Sequence, residues 1–550
     1  MMKSYKHILH VLVGGLMMAY CPWLTAQTMV YLEHSETLSF DSRKHSDAQL
    51  LKGNVRFRHD EAVMYCDSAY FYEKTNSFDA FGHVRFEQGD TLQGFGDILY
   101  YDGNAKLAKL RHHVRLIHRN TVLTTDSMNY DRVRDLAYYM KNGTIVDSLN
   151  SLRSVWGGYC PSTNEAIFRQ AVHLENESFT LDADTLIYNT KTNVAQLVCP
   201  TTIVYDGETT ILSSNGWYNT ASEQSMLLDR SRIEHVDGKQ LTGDTIYYDK
   251  KVGIGNVFGH MEMIDTVQKM TLKGNYGIMY EKEKGGFATD SAQAIDWSQP
   301  DLTYIHADTL FTEEVPCVPD SIYPDSTYRR MRAYHNVRAY NVDYQIVCDS
   351  LTYNGRDSIM TLHHEPVCWS AENQISADTI HIYLHNGKLD YAHGIGSALG
   401  IKQEDSIRYD QLSGKEMKAF IIDGEVKRVE VSGNAETVFF PRDDDSVYVG
   451  VNKSQSSYVT MYLENNKIHH VLFTTVTTGT LYPMDQIDRK DTYLLGFFWA
   501  LQERPRSPQD IFNRPRRTKR PTQKALSATD DEEDETAEDM PKKKNKKRKK

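Results

Sequence analysis

The sequence predicts an all-β chain: an elongated, solenoid-like stack of short strands built from about a dozen repeats of ~30 residues. Three observations point there. A short phrase recurs at near-constant spacing, apolar residues within it alternate with period two, and proline is scarce, with eight of the fifteen gathered in two segments. The phrase reads "FGDILYYDGNAKLAKLRHHVRLIH" at 95–118, "LDADTLIYNTKTNVAQLVCPTTIVY" at 181–205 and "LTGDTIYYDKKVGIGNVFGHMEMID" at 241–265.

The spacing comes first. Asp67, Asp97 and Asp126 lie 30 and 29 residues apart, and Asp184, Asn215, Asp244 and Asn275 follow one another at 31, 29 and 31. Asp308 precedes a proline-rich insertion, after which Asp349 and Asp378 are 29 apart. Glu36 opens the series and Gly158 is a degenerate member.

The alternation says which side chains are buried. Two and four residues after the acidic position stand Leu38 and Phe40, Leu99 and Tyr101, Met128 and Tyr130, Leu186 and Tyr188, Ile246 and Tyr248, Leu351 and Tyr353, and Ile380 and Ile382. The residue between them varies freely (Ser39, Tyr100, Asn129, Thr352), so the constant pair faces inward and the variable one outward. The second half of each phrase repeats this around a glycine. In "GNVRF" at 53–57 and "GHVRF" at 82–86, Val55, Phe57, Val84 and Phe86 point one way while Arg56 and Arg85 point the other.

One phrase cannot fold alone. Ordering a residue's backbone costs about 1–2 kcal/mol, whereas burying an aliphatic or aromatic side chain returns about 1.5–3. Stacking neighbours supplies the missing burial, so each phrase is one storey of a longer body. The repeating Asp is expected at a turn, bonding nearby backbone N–H groups. The rival reading, a calcium ladder, is weakened where Asn215, Asn275 and Gly158 replace the carboxylate.

The ends and the composition bound the rest. Lys3 and Lys6 precede the apolar run "ILHVLVGGLMMAY", which reads as an export signal cut after Ala26. No later stretch reaches the roughly 20 apolar residues of a membrane helix. The net charge of −12 argues against a nucleic-acid partner. Six cysteines follow the signal without a C-x-x-C pair, which excludes a common zinc pattern; Cys348 with Cys368 is the candidate disulfide, and buried free thiols are the alternative. The expected organisation is a signal peptide at 1–26, a repeat block at 27–311, a proline-rich insertion at 312–328 and a further repeat block at 329–480. A cap over the last storey at 481–514 and a disordered acidic and basic tail at 515–550 complete it.

Units of the type A-D-T-L-x-Y followed by A-x-L-x-G-x-V, behind an export signal, resemble the OstA-like domain of the LptA family of lipopolysaccharide-transport proteins. The resemblance is clearest over 28–310 and weaker over 329–480. It implies a twisted β-jellyroll (a folded, taco-like shell) whose apolar interior holds acyl chains. It also implies a periplasmic location, lipopolysaccharide or a similar lipid as ligand, and related β-jellyroll domains of membrane partners, with head-to-tail self-assembly through exposed strand edges. The chain departs from the family in its length, its insertion and its tail. It also lacks the strands of an outer-membrane barrel, since only about 60 mostly polar residues follow Ile487.

On this reading the inward pairs named above line a lipid trough, and no chemistry is required. No catalytic constellation, cofactor motif or metal-ligand spacing stands out. Two other classes compete: a structural or adhesive β-solenoid scaffold at the cell envelope, and a polysaccharide-active β-helix, which would concentrate carboxylates on a few units rather than spread them evenly. If the pairs line an open trough, Ile246→Asp abolishes lipid crosslinking without unfolding the stack.

Overall fold

The computed structural model describes residues 28–517 except 41–46, 318–326, 423, 444, 446 and 465–466. The signal segment, the centre of the proline-rich insertion and the tail beyond 517 therefore lie outside the described residues. The described chain is all-β, with antiparallel strands, three short 3₁₀ turns and no α-helix. It divides into two compact units, 1–224 and 225–550, rather than at the insertion.

In the first unit the strands Gln49–His59, Ala62–Tyr72, Ser77–Gln88, Leu92–Asp102, Leu107–His118 and Thr121–Asp131 pair each with the next. Every one of these pairings shifts register at its middle. The cause is a corner of two successive left-handed residues, such as Gly53–Asn54, Gly82–His83 and His112–His113. Each strand thus runs through both walls of the shell, and inward residues on the two arms meet in one core. Further along, the same rung is split: Leu136–Tyr139 and Gly143–Val146 both pair with Thr121–Asp131. The second unit repeats this plan and ends in longer strands, Lys388–Gln403, Tyr409–Ile422, Glu425–Phe439 and Val451–Glu464.

Most of the inward pairs sit where alternation puts them. Val55, Phe57, Val84, Phe86, Leu99, Tyr101, Met128, Tyr130, Leu186, Tyr188, Ile246, Tyr248, Leu351, Ile380 and Ile382 are buried. Leu38 and Phe40 are not: they are 55% and 58% exposed. Their strand, Thr37–Phe40, is a four-residue edge piece paired with Gln49–Lys52, and it has no further rung to bury it. Tyr353 is half-buried, with the Arg329 guanidinium 5.6 Å from its ring centroid.

Two other expectations change, and the free-thiol reading of the cysteines holds. The repeating Asp lies at the corner in mid-rung, not at a turn. The turn role belongs to the residue following the Tyr: Asp102, Asp131, Asn189 and Asn219 each accept backbone N–H bonds of about 3.0 Å from two residues on. The flanks of the insertion are paired strands, Thr309–Pro316 with Thr327–Tyr340, so strand pairing continues across it. Cys348 and Cys368 are free buried thiols, as is Cys66, while Cys160, Cys199 and Cys317 are free and half-buried.

The C-terminal segment starts against the last full rung, where Leu494 packs on Val451, without covering the strands beyond it. Lys467–Thr474 and Thr478–Tyr482, which both pair with Val451–Glu464, remain largely exposed. Residues 484–513 run back from there across earlier rungs of the second unit. Leu494 packs with Ile401, Val438 and Val451, and Phe498 and Ala500 pack with Val347, Val367 and Trp369.

Candidate functional site

Two features recur along the rungs, and they differ in what they can do. At the corner, the acidic residue of one strand faces the left-handed pair of the next. His83 Nδ1 lies 2.7 Å from Asp67, His113 Nδ1 lies 2.8 Å from Asp97 and His260 Nδ1 lies 2.6 Å from Asp244. A side chain on Gly82 would collide with the Asp67 carboxylate, which is why glycine opens this corner. The hydrogen bond each imidazole donates to its carboxylate, with that carboxylate's charge, holds His83 and His113 above the ordinary histidine pKa. These pairs are solvent-exposed and close the corner; the carboxylates meet corner residues rather than one another. Among the described residues no group of three or more His, Cys, Asp or Glu is placed to hold a metal ion.

The second feature is the tyrosine of the inward pair. Its hydroxyl is engaged by turn residues. Tyr130 donates to Asp135 at 2.6 Å, Tyr188 to Asp147 at 2.8 Å and Tyr248 to Glu281 at 2.9 Å, while Tyr101 accepts from Arg132 at 2.7 Å. In the first unit, small residues are covered by a neighbouring ring. Phe86 is the cross-strand partner of Gly94, and a Cβ on Gly94 would fall inside its ring; Tyr139 covers Gly157 in the same way. The interior of this unit is a filled core, with Phe57 stacked on Phe78 at 4.1 Å.

The second unit has a void. A cross-strand row runs Ile382, Ala392, Ala419, Val429, Met461, each opposite the next. Two alanines stand opposite one another here. The result is a cavity of about 110 Å³, also lined by Met417, Ile421, Leu463 and Trp369 and almost wholly apolar. Beside it lies a cleft of about 680 Å³ that shares Tyr344, Leu389 and Ile421 with the cavity. The cleft carries polar groups, including Arg329 and Asp296, which are paired at 2.7 Å, and Lys388 and Asp390. An apolar chamber opening beside a polar one suits an amphiphile.

Ionisable groups also line the chamber: Tyr344, Cys368, Lys402 and Asp410. Asp410 accepts a 3.0 Å bond from the Phe440 N–H, and burial, with the Glu404 carboxylate beside it, pushes its carboxyl well above the usual carboxylate range. Of the residues predicted to line a trough, Ile382 alone lines the cavity and Tyr353 the cleft. The other inward pairs are not brought to either space. The sequence reading missed Ala392, Ala419 and Met417; the available signal was alanine where neighbouring rungs carry leucine or tyrosine.

Residues 27–184 match the sequence-family model described as OstA-like protein. The match covers the first repeats of the first unit and agrees with the resemblance carried by the repeated phrase. A search of curated proteins returns no match. Among the described residues no helix is long and apolar enough to cross a membrane.

Proposed function

We propose that this chain is a periplasmic lipid-binding protein of the lipopolysaccharide-transport type, and that it holds its amphiphile in the second unit. Acyl chain enters the apolar cavity, and the polar head lies in the adjoining cleft near Arg329 and Lys388. The observation that carries this reading is the pairing of an apolar chamber with a polar one in the second unit of a chain whose residues 27–184 are OstA-like. The chamber is close in size to engineered apolar cavities that bind benzene, so it takes a short stretch of chain. Each methylene moved from water contributes about 0.8 kcal/mol.

The filled core of the first unit favours a structural role there. On this reading it is a spacer, with its exposed first edge at Tyr31–His34 and Thr37–Phe40 available to a related β-jellyroll domain or to a second copy. No step in this function is catalytic, and no cofactor takes part.

The test is mass spectrometry of lipid retained by the purified chain, combined with photo-crosslinking from position 382 and, as a control, position 99. Acyl lipid crosslinked at 382 and not at 99 is the expected result. Absence of retained lipid, or equal crosslinking at both positions, refutes the assignment.

A further inference from the structure

The C-terminal segment is held in an unusual way. It forms no ladder with the rungs it crosses; buried glutamines clasp its backbone instead. Gln411 donates to the Thr492 carbonyl and accepts from the Leu494 N–H, both at 2.8 Å. Gln374 donates to the Phe498 carbonyl and accepts from the Ala500 N–H, both at 2.9 Å. Further on, Gln345 accepts from Arg504 at 2.7 Å, and buried Arg338 donates to the Glu503 carbonyl at 2.9 Å. Each amide mimics a strand partner for one residue pair, so the segment is seated at points rather than zipped along its length.

The seat is also a wall of the apolar cavity. Trp369, Gln374, Ile401 and Gln411 line the cavity and touch the segment by packing or by hydrogen bond. The fit is incomplete: Trp499 Nε1 and Arg338 Nε are buried without a partner among the described residues. A contact that leaves buried donors unmet, and that relies on side-chain clasps, is suited to release.

We propose that residues 484–513 are a detachable strap that backs one wall of the lipid cavity, holding Trp369, Gln374 and Gln411 in place, so that its release loosens that wall and opens the cavity on that side. This rests on the lipid assignment above and adds its control. The polar cleft admits the amphiphile on one side, and the strap governs its departure on the other. Leu494 and Phe498 are the apolar anchors of the strap, and the glutamine amides set its register.

Cys368 gives a native reporter, because its thiol lines the cavity while Cys66 is buried in the first unit. The experiment compares the full chain with the variants Leu494→Ala/Phe498→Ala and Arg504→Ala. It measures maleimide labelling of each cysteine by peptide mass spectrometry, and release of pyrene-labelled hexadecanoate to liposomes. The double variant is expected to label Cys368 at least tenfold faster, with Cys66 unchanged, and to release the fatty acid faster by a similar factor. Arg504→Ala moves both in the same direction by less. Equal acceleration at Cys66 and Cys368, or no change at Cys368, overturns the strap. Faster labelling of Cys368 in a chain that takes up no fatty acid leaves the strap standing as a moving element and refutes the lipid assignment instead.

Discussion

Filling the cavity separates a binding site from a packing defect. Ala392 is one of the two alanines in the cross-strand row, and replacing it with leucine adds three carbons beside about 110 Å³ of empty apolar space. An unfilled cavity costs about 24 cal/mol per Å³, which puts this one near 2.6 kcal/mol. Three newly buried carbons at about 0.8 kcal/mol each give a similar figure. Imperfect fit takes back part of it, so Ala392→Leu should stabilise the lipid-free second unit by about 1–2 kcal/mol. Urea denaturation followed by tryptophan fluorescence reads this as a higher midpoint at unchanged slope. The same variant should lose lipid crosslinking from position 382. A chain that is stabilised yet retains lipid as before places the ligand elsewhere. A destabilised chain shows that the row is already packed.

Three further outcomes follow from the interior. Ile246 is 0% exposed, so Ile246→Asp buries an unpaired carboxylate and should cost more than about 4 kcal/mol in chemical denaturation; this reverses the expectation of a tolerated trough residue, and a midpoint near wild type would restore it. Tyr188→Phe leaves Asp147 without its 2.8 Å donor and the Asn150 amide without its 2.7 Å acceptor; a loss of about 1–3 kcal/mol is expected, and a neutral variant would show these bonds to be dispensable. Asp410 sets a pH dependence. Its folded pKa of about 8 lies above the ordinary carboxylate value, so the folded state binds the proton more tightly; stability contributed by the neutral carboxyl is present below pH ~4 and is lost as pH rises to about 8. Asp410→Asn should flatten that decline in thermal melts across this range, and an unchanged slope would assign the dependence to other groups.

The inward faces were legible because their signal is local. Leu99 and Tyr101, or Leu186 and Tyr188, are two residues apart, and alternation alone fixes their side of the sheet. The match of 27–184 to OstA-like proteins rests on that same local phrase. What the phrase did not disclose was the corner. Left-handed residues at His83, His113 and Asn54 carry no signal as plain as glycine, so Asp67 was placed at a turn when it faces an imidazole in mid-strand. The cavity escaped notice because it depends on Ala392 meeting Ala419, a consequence of strand register across a turn. The strap was hidden for a similar reason. Gln345, Gln374 and Gln411 belong to different rungs, and a segment clasped through its backbone needs no periodic side chains of its own.

The corner has a consequence for how such a chain can lengthen or shorten. Two left-handed residues carry the strand around the bend and keep both arms in phase, as with Leu51 and Val55, which flank Gly53–Asn54 and are both buried. Losing one of those residues would remove the register shift that fits this corner to the next strand, where the buried Cys66 and Ala69 are only three apart. Losing or duplicating a whole phrase would leave every remaining arm in phase. Within either unit, then, evolution can edit by the sentence but not by the letter.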